Sequence, residues 1–592
     1  MADAKLAASL VRMRQRRTGP LILELDLTDG IAEGPPADPL SALLTMRRTR
    51  LQDLLDGLRR AAADDRVKVL VVKVGGSRTG LAKVQELRAA IGDFRASGKL
   101  AVAWAESFGD FLHGNLPYYL ASGFDRVYLQ PSGTLGLTGV AVEQVFLHDA
   151  LEKLGIDFQS AKRYEYKSAA DQLTETGFTG PAREAAARLA ESVTEQLVAA
   201  VAAGRGLPVD RVVELVRRGP FLADQALAEG LVDGLLYRDE VYDQVRKDAG
   251  PDASLLYLQR YQRTQSFGDL PKRLGSSVQG ITPGQHKRFV ATIYAHGAIR
   301  HGRSGRGGPG GGGMGSDTVA AALRAAAADD GARAVVLRVN SPGGSYTASD
   351  VIWREVVRLR AAGKPVVVSM GDVAASGGYF IAAPADVIVA QPGTVTGSIG
   401  VIMGKPVLRD LFGRAGVATE SITETAGSSV ATMFSSSRPF SDPEWERINQ
   451  WLDAVYADFT QKVADGRRLP LERVHELARG RVWTGADAIA NGLADEAGGL
   501  REAIAIARTR AGLPDSAPVR AYPRLGPLDQ LRPAESSESR PAARGRIDPA
   551  ALGAGAIAAL FADGWGPAWR FAAAAGLSPY GPLSLPGTWK FS

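Results

Sequence analysis

The sequence AAADDRVKVLVVKV at residues 61–74 returns as AAADDGARAVVLRV at residues 326–339, a spacing of 265 residues. Three more pairs of segments match in the same order, at spacings of 265, 261 and 262 residues. They are GKLAVAWAE and GKPVVVSMG from Gly98 and Gly363, FDRVYLQP and ADVIVAQP ending at Pro131 and Pro392, and QALAEGLVD and DAIANGLAD ending at Asp233 and Asp495. Matches that keep their order over this length indicate an internal duplication.

Each copy alternates short apolar runs with helical stretches, which is typical of βα units around a buried parallel sheet. We therefore predict an α/β protein with two homologous domains in tandem. The expected organisation is an N-terminal arm at 1–19, a first repeat at 20–245, a connector at 246–288, a second repeat at 289–512, and a linker with an apolar tail at 513–592.

The second copy shows the alternation most clearly. Its strand VVLRV is followed by a helix for which Ser349 or Asp350 offers an N-cap, and Gly363 ends that helix before the strand VVVSM. After this strand, Pro384 is expected to stop a short helix.

The composition is that of a globular protein and excludes several function classes. Of 592 residues, 45% are hydrophobic and 23% are charged. A net charge of +6 over this length does not indicate a nucleic-acid-binding protein. Because the chain has no cysteine, thiol nucleophiles, disulfides and Cys-ligated metal sites are excluded. The apolar stretch before Arg12 is too short for a signal peptide or a transmembrane helix, and we expect neither.

The two copies differ in a loop that is suited to a nucleophile. The second copy has GDVAASGGYF, in which Ser376 directly precedes Gly377 and Gly378 at a strand-to-helix junction. The first copy has Asn115 opposite Ser376 and lacks the paired glycines. Either Ser376 is a nucleophile or ASGGY is only a tight turn of small residues.

A second difference lies one βα unit earlier in the chain. The second copy carries NSPGGSYTASD, whose Gly343 and Gly344 can turn backbone N–H groups toward a ligand, and the first copy has no such Pro-Gly-Gly. A serine beside free backbone donors is what acyl transfer requires, because the donors stabilise the developing oxyanion. The pattern therefore favours acyl-transfer chemistry in the second copy.

A serine nucleophile needs a base, and histidine is scarce here. None lies between Gly302 and Val474, so His113 would have to reach across from the first copy. Lysine is the alternative, since burial lowers its pKa toward neutrality. Lys167 in YKSAADQLT aligns with Ser428 of the second copy, so each copy has kept one half of the pair. The competing interpretation is that Lys167 is a solvated surface charge.

These motifs, taken with GTVTGSIGV and WTGADAIANGLAD, resemble those of the signal peptide peptidase A family, also called protease IV, in its long two-repeat form. The resemblance runs from about Asp29 to Ala511. It implies tandem domains of the spiral ββα fold shared by Clp protease and the crotonases. It also implies serine endopeptidase action on signal peptides left in the membrane after their cleavage from secreted proteins.

The resemblance assigns roles to individual residues. Ser376 matches the family's nucleophile, Lys167 its general base, and Ser398 in TGSIG the hydroxyl that orients the lysine. The backbone N–H groups of Gly343 or Gly344, together with that of Gly377, match the oxyanion hole. No metal or cofactor is implied. The first repeat has Leu137 opposite Ser398, which leaves one working site for each pair of repeats.

Assembly and location follow from the resemblance only in part. It implies a homo-oligomer such as a tetramer, with peptide substrates and no nucleic acid. Long family members commonly begin with a transmembrane segment, which is not seen here, so we expect a membrane-associated or cytoplasmic protein. The apolar tract around Trp565, Trp569 and Phe571 offers a peripheral contact with the lipid interface, or else a small docking helix.

Two rival functions remain open at this stage. A crotonase-type enzyme acting on acyl-CoA would share the spiral fold and the glycine amides but would use carboxylates. A catalytically silent scaffold at the membrane would leave Lys167 fully charged. The glycine-rich stretch from Gly302 lacks the Gly-Lys-Ser or Gly-Lys-Thr ending of a phosphate-binding loop, and we interpret it as a flexible loop on the substrate side.

Overall fold

The computed structural model describes residues 18–28, 30–34, 49–75, 79–109, 114–261, 288–304, 313–422, 430–522 and 583–584. Several features singled out in the sequence lie outside the described residues. These are His113, Ser428, most of the expected connector, the centre of the glycine-rich stretch, and the apolar tract around Trp565.

The first repeat alternates strands and helices around one parallel sheet. Its elements are β1 (Leu21–Asp26), β2 (Ile31–Ala32), β3 (Thr49–Arg50), α1 (Leu51–Ala63), β4 (Val67–Lys73), α2 (Leu81–Ala96), β5 (Leu100–Ala105), α3 (Asn115–Ala121), β6 (Arg126–Leu129), β7 (Thr134–Leu135), α4 (His148–Leu154), β8 (Asp157–Lys162), α5 (Asp171–Thr174), α6 (Gly180–Arg205), α7 (Val209–Arg218), β9 (Phe221–Leu222), α8 (Ala223–Ala228), β10 (Gly234–Leu235), α9 (Arg238–Ala249) and β11 (Ser254–Tyr257). The sheet has the order β10-β6-β5-β4-β1-β11, and every pair in it is parallel.

The second repeat reproduces this plan. Its elements are β12 (Phe289–His296), β13 (Ile299–Arg300), β14 (Met314–Gly315), α10 (Ser316–Ala328), β15 (Ala332–Ser341), β16 (Gly343–Gly344), α11 (Tyr346–Ala361), β17 (Val366–Ala375), α12 (Gly377–Ala382), β18 (Val387–Ala390), β19 (Val395–Gly397), β20 (Ile402–Val407), α13 (Arg409–Arg414), a 3₁₀ turn (Val430–Thr432), α14 (Asp442–Arg467), α15 (Leu471–Leu477), β21 (Val482–Thr484), α16 (Gly485–Ala490), β22 (Glu496–Ala497), α17 (Leu500–Arg510), β23 (Val519–Ala521) and β24 (Leu583–Ser584).

The two central sheets have the same strand order. The parallel path β22-β18-β17-β15-β12-β23 of the second repeat matches β10-β6-β5-β4-β1-β11 of the first. Both β4 and β15 are buried over most of their length, as expected for parallel strands covered on both faces. The prediction of tandem α/β domains with parallel sheets is confirmed.

The repeats pack against each other through a shared apolar core. One continuous cluster of buried side chains contains Leu70 and Phe94 of the first repeat together with Val336 and Val367 of the second sheet and Leu500 of α17. Burial of this apolar surface favours a fixed relation between the two repeats.

The helix after β15 begins earlier than the sequence suggested. Its N-cap is Ser345, whose Oγ accepts a hydrogen bond from the backbone N–H of Ala348, and not Ser349 or Asp350. Ser349 is buried inside the helix, where its hydroxyl donates to the carbonyl of Ser345. The prediction of the N-cap was wrong because β16 ends at Gly344, so that Ser345 directly after it caps the helix.

The outer strands extend beyond the main repeat ranges. β11 pairs with β1 although it lies in the range expected as a connector, and β23 pairs with β12 although it lies in the range expected as a linker. The domain boundaries stay a prediction. Among the described residues, each helix is too short or too polar to cross a lipid bilayer.

Candidate active site

An antiparallel strand pair between the two repeats brings their loops together. β8 of the first repeat pairs with β20 of the second, with Lys162 opposite Ile402. Because the strands are antiparallel, the chain that follows Lys162 runs beside the chain that precedes Ile402. The backbone N–H of Arg163 donates to the carbonyl of Val401 at 2.9 Å, which continues the pairing. The loop that contains Lys167 is thereby directed toward Ser398.

Ser376 lies between the end of β17 and the start of α12, in a strained conformation. Its φ of 54° and ψ of −116° are rare for a residue with a side chain, and such strain is often found at functional sites. Its backbone N–H donates to the carbonyl of Gly397 at 2.8 Å. The structure thus holds Ser376 at a sharp corner beside the loop that contains Ser398.

Close approach of the backbone explains the two glycines that follow. A Cβ atom on Gly377 would lie 2.8 Å from Oγ of Ser349 and 3.1 Å from Cα of Gly343. A Cβ atom on Gly378 would lie 2.5 Å from the carbonyl oxygen of Ser341. The first turn of α12 therefore fits against the loop after β15 only when both residues lack a side chain.

The amine of Lys167 contacts two serines of the other repeat. Its Nζ lies 2.8 Å from Oγ of Ser376, 2.9 Å from the carbonyl oxygen of Ser398 and 3.0 Å from Oγ of Ser398. All three residues are fully buried. The structure therefore brings together, within hydrogen-bond distance, three residues that the sequence singled out for one site.

Burial determines the charge state of this amine. Removal from water penalises the ammonium form and lowers the pKa of Lys167 well below the usual value for a lysine. The three oxygen atoms around Nζ belong to hydroxyl and carbonyl groups, which carry no negative charge to oppose the shift. The site thus favours a neutral amine next to a hydroxyl, which is the arrangement that a general base requires.

Gly480, which the sequence patterns did not single out, packs directly against Lys167. A Cβ atom on Gly480 would lie 2.5 Å from both N and Cβ of Lys167, and Gly480 has a φ of +84°. Gly400 packs directly against Gly480, where an added Cβ would be 2.8 Å from Cα of Gly480 and 3.3 Å from Cδ of Lys167. The two copies differ at this position, since the first copy has Arg218 opposite Gly480, and this difference could have marked Gly480 as part of the site.

The glycines expected to bind an oxyanion lie beside Ser376. The Cβ position of Gly377 is 3.1 Å from Cα of Gly343 and from N of Gly344, so the three backbones are in contact. As the first residue of α12, Gly377 has a backbone N–H without an acceptor inside the helix. The N–H of Gly343 donates to Oγ of Ser341 at 3.2 Å. The oxyanion role of these residues stays a prediction.

The corresponding position in the first repeat is occupied by a structural residue. Asn115 begins α3 just as the segment after Ser376 begins α12. Its Nδ2 donates to the carbonyl of Gly139 at 2.6 Å, and its Oδ1 accepts from the N–H of Thr138 at 3.1 Å. Leu137, opposite Ser398, is fully buried. The amide of Asn115 therefore ties a loop in place where the second repeat presents a hydroxyl.

A buried cluster of charges joins the repeats near β17. Arg338 forms ion pairs with Glu33 at 2.5 Å and Glu86 at 2.7 Å, and Lys83 pairs with Asp372 at 2.7 Å. Burial alone would raise the pKa of Glu33, but the positive charges of Arg338 and Lys83 lower it to about 2. Because Asp372 lies on the strand that ends before Ser376, this cluster ties α2 of the first repeat to the strand that carries the serine.

One group of side chains that could hold a metal ion lies elsewhere in the described part of the chain. His148, Asp149 and Glu152 on α4 offer ligand atoms within 4.8 Å of one another, and two of the three residues are exposed. They are not among the groups that contact Nζ of Lys167. The site around Ser376 is built from hydroxyl, amine and backbone groups.

Comparison with known proteins identifies the family. The family model for peptidase family S49 matches residues 93–251 and 358–514. The chain is 31% identical over 472 residues to the chloroplastic serine protease SPPA of Arabidopsis thaliana, covering 78% of this chain and 66% of that protein. It is 32% identical over 478 residues to protease 4 of Salmonella typhi, covering 79% of this chain and 73% of that protein.

A solved structure of a ClpP1 mutant from Listeria monocytogenes is similar to 36% of this chain and 94% of its own, with 15% identity and a TM-score of 0.23. The family model has one match in each repeat, and the alignment with the Salmonella protein spans most of both chains. The chain is a serine peptidase that belongs to peptidase family S49.

Proposed function

We propose that this serine peptidase is an endopeptidase with a Ser376–Lys167 dyad, and that it degrades cleaved signal peptides or similar apolar peptides. The observation that supports the dyad is the 2.8 Å contact between Nζ of Lys167 and Oγ of Ser376 in a fully buried setting. Nucleophile and base come from different repeats, which explains why neither repeat has both.

In the proposed reaction, the neutral amine of Lys167 takes the proton of the Ser376 hydroxyl as Oγ attacks the carbonyl carbon of the substrate. The carbonyl electrons move onto oxygen, and the backbone N–H groups of Gly377 and of Gly343 or Gly344 stabilise the negative charge. When the carbonyl re-forms, the C–N bond breaks, and the ammonium of Lys167 donates its proton to the leaving amine.

The second half of the reaction regenerates the enzyme. Lys167 is neutral again after the amine leaves, so it takes a proton from a water molecule that attacks the acyl-enzyme ester. The tetrahedral intermediate then collapses, the peptide acid leaves, and Ser376 recovers its proton. Ser398 orients the amine throughout, because its Oγ and carbonyl oxygen are both within 3.0 Å of Nζ.

The substrate class follows from the family and from the chemistry of the site. Small or apolar side chains near the scissile bond are expected from the family resemblance. A site built on backbone donors recognises the peptide unit itself and places few demands on side chains. The same resemblance supports assembly as a homo-oligomer, such as a tetramer, and a peripheral contact with the membrane.

The test is hydrolysis of an apolar peptide ester by the wild type and by the Ser376→Ala and Lys167→Ala variants, with Asn115→Ala as the matched control from the first repeat. We expect both dyad variants to lose activity by about 10²-fold or more, and Asn115→Ala to keep it. Activity that survives either dyad substitution would reject the mechanism.

A further inference from the structure

The loop that carries Lys167 is long, and a buried carboxylate lies in its middle. The loop joins the end of β8 at Lys162 to the start of α6 at Gly180, and the short helix α5 within it begins at Asp171. Connections of this length are uncommon in compact domains and are often functional. Asp171 is only 1% exposed. A charged side chain at such a position needs partners, because burial of a charge without them is costly.

The two oxygen atoms of this carboxylate bind the two ends of the loop. Nζ of Lys162, the last residue of β8, donates to Oδ1 of Asp171 at 2.7 Å. The hydroxyl of Thr179, the N-cap of α6, donates to Oδ2 at 3.4 Å. The N–H of Asp171 donates to the carbonyl of Ser168, the residue after Lys167, at 3.1 Å. The carboxylate thus closes the loop at its base, and Lys167 lies within the closed segment.

Both ends of the loop belong to well-packed elements. At one end β8 pairs with β20, and Ala169 and Ala170 of the loop pack in one apolar cluster with Ile402 of that strand. At the other end Thr179 caps α6, a helix of 26 residues. Asp171 therefore fastens the lysine loop to two elements whose own positions are fixed by extensive contacts.

The second repeat has uncharged residues at this position. At spacings of 261 and 262 residues, Asp171 lies opposite Thr432 and Met433. Lys167 lies opposite Ser428 in the same segment. The acid and the lysine are thus found in the same copy, and the difference between the copies that marks Lys167 as part of the site marks Asp171 as well.

We propose that Asp171 is a positioning residue for the reaction: by joining the two ends of the lysine loop, it keeps the amine of Lys167 in its buried place beside Ser376. This inference rests on the proposed function. The amine can act as a base only while it is shielded from water and within hydrogen-bond distance of Oγ. Burial is the cause of the lowered pKa of Lys167, and Asp171 acts on that burial by holding the loop closed.

The test compares Asp171→Asn with Glu444→Gln in the full-length enzyme. Glu444 is a matched control because it is also 1% exposed, and it pairs with Arg438 at 2.6 Å as Asp171 pairs with Lys162 at 2.7 Å. It lies in the first turn of α14, the helix of the second repeat that corresponds to α6. Both variants lose one buried ion pair, so both should unfold at a lower urea concentration than the wild type.

The readouts are kcat and KM for the peptide ester and the pH midpoint of kcat/KM. We expect Asp171→Asn to lower kcat about tenfold at unchanged KM, because small displacements of a catalytic group are costly. The midpoint should move to higher pH, since water that enters the loosened loop solvates the ammonium form of Lys167. Loss of the carboxylate charge alone would move it to lower pH, because a nearby anion favours the ammonium. Glu444→Gln should keep the kcat, the KM and the midpoint of the wild type.

An unchanged kcat in Asp171→Asn, or a midpoint that stays or falls, would overturn the proposal, as would an equal rise of the midpoint in Glu444→Gln. Should Asp171→Asn fail to fold, Lys162→Met releases the same carboxylate from β8 and must raise the midpoint for the proposal to stand. If Lys167→Ala keeps its activity, the proposed function itself fails. If Lys167→Ala is inactive while Asp171→Asn has the profile of the wild type, only the role of Asp171 fails.

Discussion

Substitution of Gly480 by alanine should disable the enzyme although Gly480 bears no reactive group. The added Cβ would lie 2.5 Å from N and Cβ of Lys167 and 2.6 Å from its Cα. Ordinary contacts begin near 3.4 Å, so the backbone of Lys167 must shift by about 1 Å, and a misplacement of that size costs about 10²-fold in rate. We expect kcat for the peptide ester to fall by this factor.

Gly492→Ala is the matched control for this prediction. Gly492 has a φ of +80°, close to the +84° of Gly480, and the nearest atom to its added Cβ is Cδ2 of Leu469 at an ordinary 3.6 Å. Both variants should lose about 1–2 kcal/mol of stability to the left-handed backbone conformation, but only Gly480→Ala should lose kcat. If both variants lose equal stability in urea denaturation and both keep the kcat of the wild type, the account of the lysine site is wrong.

Three further predictions concern Ser398, Lys167 and Arg338. Ser398→Ala removes a hydroxyl 3.0 Å from Nζ of Lys167. We expect kcat to fall about tenfold, because the loss of one hydrogen bond of about 1.4 kcal/mol corresponds to that factor. An unchanged kcat would exclude an orienting role for Ser398. In a pH series, kcat/KM should rise as Lys167 loses its proton, with a midpoint well below the usual lysine pKa of about 10.4, and a midpoint near that value would contradict a buried amine. The contribution of Lys167 to stability in urea should rise with pH from the lowered pKa of the folded state up to the unfolded value of about 10.4, because within that window the unfolded chain binds the proton more tightly than the folded one. Arg338→Met leaves Glu86 buried without its cationic partner and leaves Glu33 with Lys83 alone, so it should lower the free energy of unfolding by about 3–5 kcal/mol, whereas a loss below about 1 kcal/mol would mean that the cluster carries little stability.

The duplication was enough to predict the architecture. The segments that match between the copies are the strands and helices whose side chains pack in the cores around the sheets. Aligned strands such as β4 and β15 therefore take the same place in the same strand order. The loops that differ, at Ser376 and at Gly343, are those that approach one another in the second repeat. A comparison within one chain thus separated residues that maintain the fold from residues of the candidate site.

The remaining features depend on contacts between the repeats, which sequence patterns do not encode. Gly480 meets Lys167 only because β8 pairs with β20, and nothing in either strand specifies that partner. The N-cap at Ser345 depends on where β16 ends, a distinction of a few residues that local propensity does not resolve. The pairing of β24 with β16 joins segments far apart in the sequence and has no signal in composition or periodicity.

The rate and site of phosphonylation by a fluorophosphonate, in which the serine Oγ displaces fluoride from phosphorus, provide the decisive measurement for the dyad. The reagent is mixed with the wild type and with Lys167→Met, which matches the lysine in length but lacks the amine. Intact mass gives the rate, and peptide mapping gives the modified residue. We expect a single adduct at Ser376 and a rate about 10²-fold or more slower in Lys167→Met. An adduct on another residue, or equal rates in the two proteins, would contradict the pairing of a serine from one repeat with a buried lysine from the other.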